Sequence, residues 1–286
     1  MRAREIMAAD FKNYFSNGGA DQASDFVKLR HQHNINFGLN LADNARTEIG
    51  HTIASISNAA PSAFWTIWQI ISDPVILADC QKEVNALVQT DPNGNHTIDL
   101  AQVQNRCPIL VSSWDETLSF HGSSISARVV KEDTIVDNKY LFKKGGMVMM
   151  PNEVIHTDPQ LWGPTADKFD HKRFVKVAKD GSLKRAPSPN FRGFGSGHVL
   201  CPGRHFISSE VLTFVALIIA RFDVRPVGGK WRFPGKDKIM NSAFPTPTKK
   251  IMVEFVPKDD KVWKVVYTGN SGGIDLTEDE IIASEH

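Results

Sequence analysis

The stretch Phe194-Gly195-Ser196-Gly197-His198-Val199-Leu200-Cys201-Pro202-Gly203-Arg204 decides the fold of this 286-residue chain. Two glycines, a cysteine and a third glycine stand directly before a helix predicted over about Pro202 to Phe222. Gly195 and Gly197 allow a tight turn and a close approach of the backbone to a flat partner. The helix dipole and nearby peptide N–H groups favour a thiolate at Cys201. With Phe194 covering the sulfur, this is the environment that an iron–thiolate bond needs.

Other interpretations of the same stretch were weighed against the iron–thiolate site. A lone cysteine is usually a small buried hydrophobe. A dinucleotide-binding fingerprint needs glycine where the chain has His198, and a nucleophile elbow needs glycine two places before Ser196, where Phe194 stands. The sequence context therefore favours a cysteine that ligates a metal.

Composition and charge exclude several classes of protein. The chain has 33 Lys plus Arg against 32 Asp plus Glu, a net charge of +1, with 41% hydrophobic and 23% charged residues. This balance is typical of a globular protein and argues against disorder and against nucleic-acid binding. The three cysteines are odd in number and widely spaced, which argues against a disulfide framework or a Cys-rich zinc site. The longest apolar run, Val211 to Ala220, is too short to span a bilayer, so no transmembrane segment is predicted.

The quoted stretch resembles the haem-binding signature of the cytochrome P450 family, and other segments follow in the family's order. Residues 169–174, FDHKRF, resemble the segment before the haem loop, and residues 114–119, WDETLS, resemble the helix that carries the family's Glu-x-x-Arg. Ser119 stands where the family has the arginine. We therefore expect Glu116 and Arg173 to contact each other directly.

The resemblance implies a mainly α fold with small β-sheets, the C-terminal portion of the cytochrome P450 fold. It predicts a single domain over residues 1–286, divided into segments in chain order. These are a segment before the central helix (1–41), a long distal helix (42–72), helices up to the Glu116 helix (73–123), strands and an irregular meander (124–193), the cysteine loop and proximal helix (194–222), and C-terminal strands with a tail (223–286). Lys143-Lys144-Gly145-Gly146 is predicted to be a hairpin turn.

The resemblance also assigns residues to haem b. Arg128 matches a strand arginine that reaches a haem propionate, although a solvated strand charge is the alternative. The second propionate partner of the family falls on Val199, and His198 is its predicted substitute. The metal ligand is Cys201, and the cofactor-binding residues are Arg128, Phe194, Gly195, Gly197, His198, Gly203, Glu116 and Arg173.

The long helix contains Ser57-Asn58-Ala59-Ala60-Pro61-Ser62-Ala63-Phe64-Trp65. This pattern resembles the branch that includes sterol 7-alpha-hydroxylases, prostacyclin synthase and fungal relatives. Pro61 leaves the carbonyl of Ser57 without its helical partner, and the resulting kink makes room for water or oxygen. Asn58 and Ser62 would orient that molecule as catalytic residues. The alternative is a purely structural kink.

The family implies a haem-thiolate monooxygenase that inserts one oxygen atom from O2 into a hydrophobic lipid, sterol or secondary metabolite. Electrons would come from an NADPH-dependent cytochrome reductase. Secondary metabolite biosynthesis is the expected role, in the cytoplasm or at the surface of the endoplasmic reticulum membrane. Two alternatives stay open: a haem-dependent isomerase or dehydratase that needs no reductase, and a non-catalytic fragment.

Overall fold

A computed structural model describes residues 2–197, 199–237 and 243–268. The chain divides into two compact units, Met1–Ala59 and Ala60–His286, where the sequence predicted a single domain. The division arises because the first three helices pack mainly on one another.

The first unit contains three helices and a short 3-10 turn at Gly19–Gln22. The helices are α1 (Arg2–Ser16), α2 (Asp25–Asn36) and α3 (Leu41–Ser57). Asn40 caps α3 by accepting a hydrogen bond from the Asp43 N–H at 2.9 Å. Arg30 and Glu48 form an ion pair of 3.0 Å that joins α2 to α3.

The helix expected over residues 42–72 is interrupted at Asn58. Helix α3 ends at Ser57 and α4 begins at Ala59, so Pro61 lies in the first turn of a new helix. First-turn N–H groups have no acceptor within the helix, and proline is therefore tolerated there without kinking it. The structure thus replaces the predicted kink at Pro61 with a break one turn earlier.

Helix α7 lies at the centre of the second unit, and all its residues except Pro108 and Phe120 are buried. It packs against α5 and α10 in one apolar core. The helices that follow α3 are α4 (Ala59–Ser72), α5 (Pro74–Asn85), α6 (Val103–Arg106), α7 (Pro108–His121), α8 (Asn152–His156), α9 (Pro159–Trp162) and α10 (Arg204–Arg221), with a 3-10 turn at Leu100–Gln102. Within the described ranges, none of the helices is both long and apolar enough to cross a lipid bilayer.

The strands form small sheets around this helical core, and all pairs are antiparallel except β2 with β13. The pairs are β1 (Val88–Thr90) with β2 (His96–Asp99), β2 with β13 (Trp263–Val266), β3 (Ile125–Val129) with β6 (Met147–Pro151), β4 (Thr134–Val136) with β5 (Tyr140–Phe142), β7 (Val175–Val177) with β8 (Leu183–Arg185), β9 (Gly195–Ser196) with β10 (Val199–Leu200), and β11 (Phe222–Pro226) with β12 (Val253–Pro257). The mainly α fold with small sheets is confirmed.

The predicted hairpin turn at residues 143–146 is wrong. Strand β5 pairs with β4 and β6 pairs with β3, so residues 143–146 connect two different sheets. Residues 143–146 do form a turn, in which the Gly146 N–H donates to the Lys143 carbonyl at 2.9 Å, but the hairpin turn lies at Asp137 and Asn138, whose φ angles are 53° and 51°. Asp and Asn tolerate the left-handed region better than other non-glycine residues, which makes this dipeptide suitable for a hairpin.

Candidate functional site

The cysteine loop is a short hairpin that leads into α10. Gly195 and Gly197 have φ angles of 95° and 63°, which an L side chain rarely adopts. The Cys201 N–H donates to the Phe194 carbonyl at 2.9 Å, and the Cys201 side chain is exposed. Helix α10 begins at Arg204, two residues later than predicted. Cys201 therefore lies at the end of a hairpin that contains two glycines, three residues before the first residue of α10.

The other two cysteines are unsuited to ligation. Cys80 and Cys107 are fully buried in the core of the second unit. Burial raises the pKa of each thiol to about 12. Among the three thiols, Cys201 alone is open to a cofactor.

Two predicted residues connect the loop to the rest of the unit. Phe194 is half-buried against the core, and its ring centroid lies 6.3 Å from that of Trp114 on α7. Arg128 on β3 is exposed, and its Nη2 donates to the Ser196 carbonyl at 3.2 Å. The structure thus brings Arg128 beside the cysteine loop. His198 lies outside the described residues.

Glu116 and Arg173 are in direct contact, as the sequence predicted. The Arg173 Nε lies 3.1 and 2.9 Å from the two carboxylate oxygens of Glu116. The Asp170 N–H also donates to Glu116, at 2.9 Å. Of the other two guanidinium nitrogens, Nη2 donates to the carbonyls of Thr165 and Lys168 at 2.9 and 2.8 Å, and Nη1 donates to the Trp162 carbonyl at 3.5 Å. The Arg173 side chain therefore attaches the turn around residues 165–168 to Glu116 of α7.

A second buried ion pair lies beside the first. The Arg185 Nε on β8 donates to Asp115 Oδ2 at 2.8 Å. Burial raises the pKa of Asp115 and raises that of Glu116 to about 7, while the arginine beside each carboxyl opposes the shift. The pair of Asp115 and Arg185 was not predicted, because the two residues are 70 positions apart and neither belongs to a motif that points to the other.

The residues predicted to shape the oxygen site fall on both sides of the division between the units. Pro61 and Ser62 are buried in the first turn of α4, and the Thr66 Oγ1 donates to the Ser62 carbonyl at 2.8 Å. Asn58 belongs to the first unit, so its position relative to Ser62 stays a prediction.

Two further residues contact the start of the cysteine loop and were not singled out from the sequence. Asn152 and His156, both on α8, hydrogen-bond to the backbone of Arg192. Their spacing of four residues would place them on one helical face, which is the signal that could have found them. The segment was instead expected to be irregular.

A cavity of about 670 Å³ opens between α7, α10 and the β7–β8 hairpin. It is lined by Trp114, Asp115, Arg185, Ser208 and Leu212, among others, and by none of the predicted cofactor or metal residues. This cavity therefore does not mark the cysteine site.

Comparisons with known proteins agree with the geometry of the loop. The model of the family described as Cytochrome P450 matches residues 17–255. Cytochrome P450 monooxygenase nodJ of Hypoxylon pulicicidum is 37% identical over 263 residues, which are 87% of this chain and 51% of that protein. Cholesterol 7-alpha-monooxygenase of Cricetulus griseus is 29% identical over 254 residues, 83% of this chain and 49% of that protein. The Homo sapiens protein 7-alpha-hydroxycholest-4-en-3-one 12-alpha-hydroxylase is 28% identical over 200 residues, 64% of this chain and 39% of that protein. The chain spans about half the length of the curated relatives it matches.

Proposed function

Because the chain belongs to the cytochrome P450 family, we propose that it forms the cysteine-bearing part of a haem-thiolate monooxygenase. The proposed reaction inserts one oxygen atom from O2 into a hydrophobic small molecule. The observation that carries the proposal is the exposed Cys201 thiol in a glycine hairpin, set against two other thiols that are buried.

The residues around Cys201 fit a flat, thiolate-ligated group. Among the described residues, no heavy atom lies within 4 Å of a Cβ added at Gly197, so this position of the hairpin has open space beside it. The nearest atom to a Cβ at Gly203 is the Cys201 sulfur, at 3.9 Å. A soft thiolate is a ligand that iron accepts, and the glycines leave room for a planar ring beside it.

Each residue of the loop has a role in this proposal. Haem b, when bound, supplies the activation of O2 and the transfer of one oxygen atom. Cys201 would hold the iron through its thiolate, and Phe194 would limit the access of water to the sulfur. Arg128 stands beside Ser196, where its guanidinium is available for a propionate of the cofactor. Glu116 and Arg173, two further proposed cofactor-binding residues, would act by holding the preceding segment in place.

We assign the delivery of protons to the residues that the sequence predicted for it, Asn58, Pro61 and Ser62. Ser62 is buried in the first turn of α4, a position that suits a hydroxyl shielded from bulk water. Asn58 is the second polar residue of the proposal, and Pro61 precedes Ser62 in the first turn of α4. Each of the two polar groups would orient ordered water for proton transfer.

The proposed substrate class follows from the relatives. Two of them are named for sterol substrates and one is a fungal monooxygenase. We therefore propose a lipid, sterol or secondary metabolite as substrate, within secondary metabolism. An NADPH-dependent cytochrome reductase is the proposed electron donor.

The decisive experiment is the carbon-monoxide difference spectrum of the reduced, haem-reconstituted chain. The wild type should show the band of thiolate-ligated haem, and Cys201→Ser should lose it. Cys80→Ser is the matched control, because it replaces a buried thiol of the same chain, and it should keep the band. Loss of the band in Cys80→Ser alone, or no band in the wild type, would overturn the proposal. Substrate turnover that needs no reductase would favour the isomerase instead.

A further inference from the structure

Helix α8 presents two polar side chains to the backbone of a single residue, Arg192, just before the cysteine loop. The Arg192 N–H donates to His156 Nε2 at 3.0 Å, and Asn152 Nδ2 donates to the Arg192 carbonyl at 2.9 Å. Asn152 and His156 are 2% and 4% exposed, so both bonds are shielded from water. The N–H and the C=O of Arg192 are therefore both held by one turn of helix.

The same two side chains also contact the last turn of α7 and the residue just before β3. The other ring nitrogen of His156, Nδ1, lies 3.1 Å from the Ser119 carbonyl. Asn152 Nδ2 also donates to Ser124 Oγ at 2.6 Å. The contacts connect the end of α7 and the start of β3 to Arg192.

We propose that Asn152 and His156 are positioning residues that clamp the backbone of Arg192 and thereby set the start of the cysteine loop. His156 links the Ser119 carbonyl of α7 to Arg192, and Asn152 links Ser124 to the same residue. This inference rests on the proposed function, since it assigns a purpose to the loop that carries Cys201.

The clamp is connected to Cys201 by a short series of backbone contacts. The Arg192 carbonyl that Asn152 holds also accepts from the Gly195 N–H at 3.1 Å. One residue before Gly195, the Phe194 carbonyl accepts from the Cys201 N–H at 2.9 Å. A displacement of Arg192 would thus disturb the Gly195–Arg192 hydrogen bond directly and the Cys201–Phe194 bond through the chain that joins Arg192 to Phe194.

The chemistry of the two side chains supports a positioning role over simple core filling. A neutral imidazole has one donor and one acceptor, and here Nδ1–H donates to Ser119 while Nε2 accepts from Arg192. Burial lowers the pKa of His156 to about 4, so the acceptor is present at neutral pH. Asn152 Oδ1 is buried and has no partner within the described residues. A buried oxygen without a hydrogen bond destabilises the fold, and an apolar side chain would avoid this penalty. We therefore infer that the role of Asn152 depends on its Nδ2 donor group.

The first test measures hydrogen exchange in the 286-residue chain without haem. His156→Phe keeps an aromatic ring but removes both ring nitrogens. The Arg192 amide should then exchange about tenfold faster than in the wild type, relative to a reference amide in the middle of α10. His121→Phe is the matched control, because His121 of α7 is likewise a buried histidine and has a hydrogen bond to Gln69. Equal acceleration at Arg192 and at the reference amide would overturn the clamp.

The second test separates the two nitrogens of His156. His156→Gln can keep the acceptor for the Arg192 N–H, whereas His156→Asn can keep only the donor to the Ser119 carbonyl. The clamp predicts that Gln restores protection at Arg192 and retains the thiolate band, while Asn and Phe lose both. If Asn rescues as well as Gln, the inference is wrong. If the wild type fails to bind haem, the proposed function fails, while the exchange data still decide the clamp.

Discussion

Arg173 spans the gap between Glu116 and the carbonyls of Thr165 and Lys168, so a single guanidinium is bonded to a helix and to a turn. Glu116 is 2% exposed and Arg173 11% exposed at the side chain. Removing one partner of a pair this deeply buried strongly destabilises the folded protein, because the other group is left in the core without its partner.

Arg173→Ala should lower the free energy of unfolding by about 3 to 5 kcal/mol and sharply reduce haem retention. Arg173→Lys keeps the charge but loses the fork of donors, so its loss should be intermediate. Denaturant unfolding and haem content after gel filtration are the measurements. Arg185→Ala is the matched control for breaking a buried pair on the same helix; if it matches Arg173→Ala in haem loss, the role of Arg173 before the loop is not specific. Unchanged haem retention in Arg173→Ala would contradict the prediction.

Gly193→Ala should disrupt the cysteine loop, because a Cβ there would overlap the Phe191 ring and lie 2.8 Å from the Leu118 Cβ. We expect a loss of stability of about 1 to 3 kcal/mol, as for other overpacked sites. Gly50→Ala is the control, since a Cβ at Gly50 of α3 meets nothing within 4 Å and should stabilise the helix by about 0.5 to 1 kcal/mol. Thermal unfolding of both variants decides the matter; equal stability of Gly193→Ala and the wild type would show that the loop does not lie against α7.

His156 should make stability fall in mildly acidic solution. Its ordinary pKa of 6.5 is lowered to about 4 by burial, so the unfolded chain takes up the proton first. Its contribution is complete above about pH 6.5 and is lost progressively as the pH falls towards 4, on the order of 3 kcal/mol in total. The unfolding free energy of His156→Phe should therefore vary less over this range than that of the wild type. Parallel pH curves for the two proteins would refute this.

Replacing the two polar groups of the proposed proton path should uncouple oxygen reduction from product formation. In a form of the protein that turns over with its reductase, Asn58→Ala combined with Ser62→Ala should give less product per NADPH and more hydrogen peroxide. The carbon-monoxide spectrum should stay unchanged, because Cys201 is not altered. The single variants show which of the two residues matters. Undiminished coupling would leave Pro61 and its neighbours a structural role only.

Local sequence signals were sufficient for much of the fold. Strands were expected within residues 124–193, and β3, β4 and β6 lie there, since short runs of β-branched and long apolar residues mark them. The contact between Glu116 and Arg173 was predicted from two motifs far apart in the chain, and the geometry contains it.

Features that depend on tertiary contacts were not predictable. The break at Asn58 lies in a stretch whose apolar spacing continues without a gap, so periodicity gives no sign of it. Residues 73–123 were predicted to be helical, yet β1 and β2 lie in this range, and their pairing overrides the helical pattern. Likewise, the grip of His156 on Arg192 joins residues 36 positions apart, beyond the reach of any local pattern.

The distribution of the three cysteines allows both folding and cofactor occupancy to be measured by thiol alkylation. One thiol is exposed and two are in the core, so an alkylating reagent should modify one sulfur per folded chain and three per unfolded chain. An intact-mass spectrum would then report the folded fraction and the occupancy of Cys201 together, because a ligated sulfur cannot be alkylated. Cofactor loading can thus be counted in whole-molecule mass increments, without any optical signal from the cofactor itself.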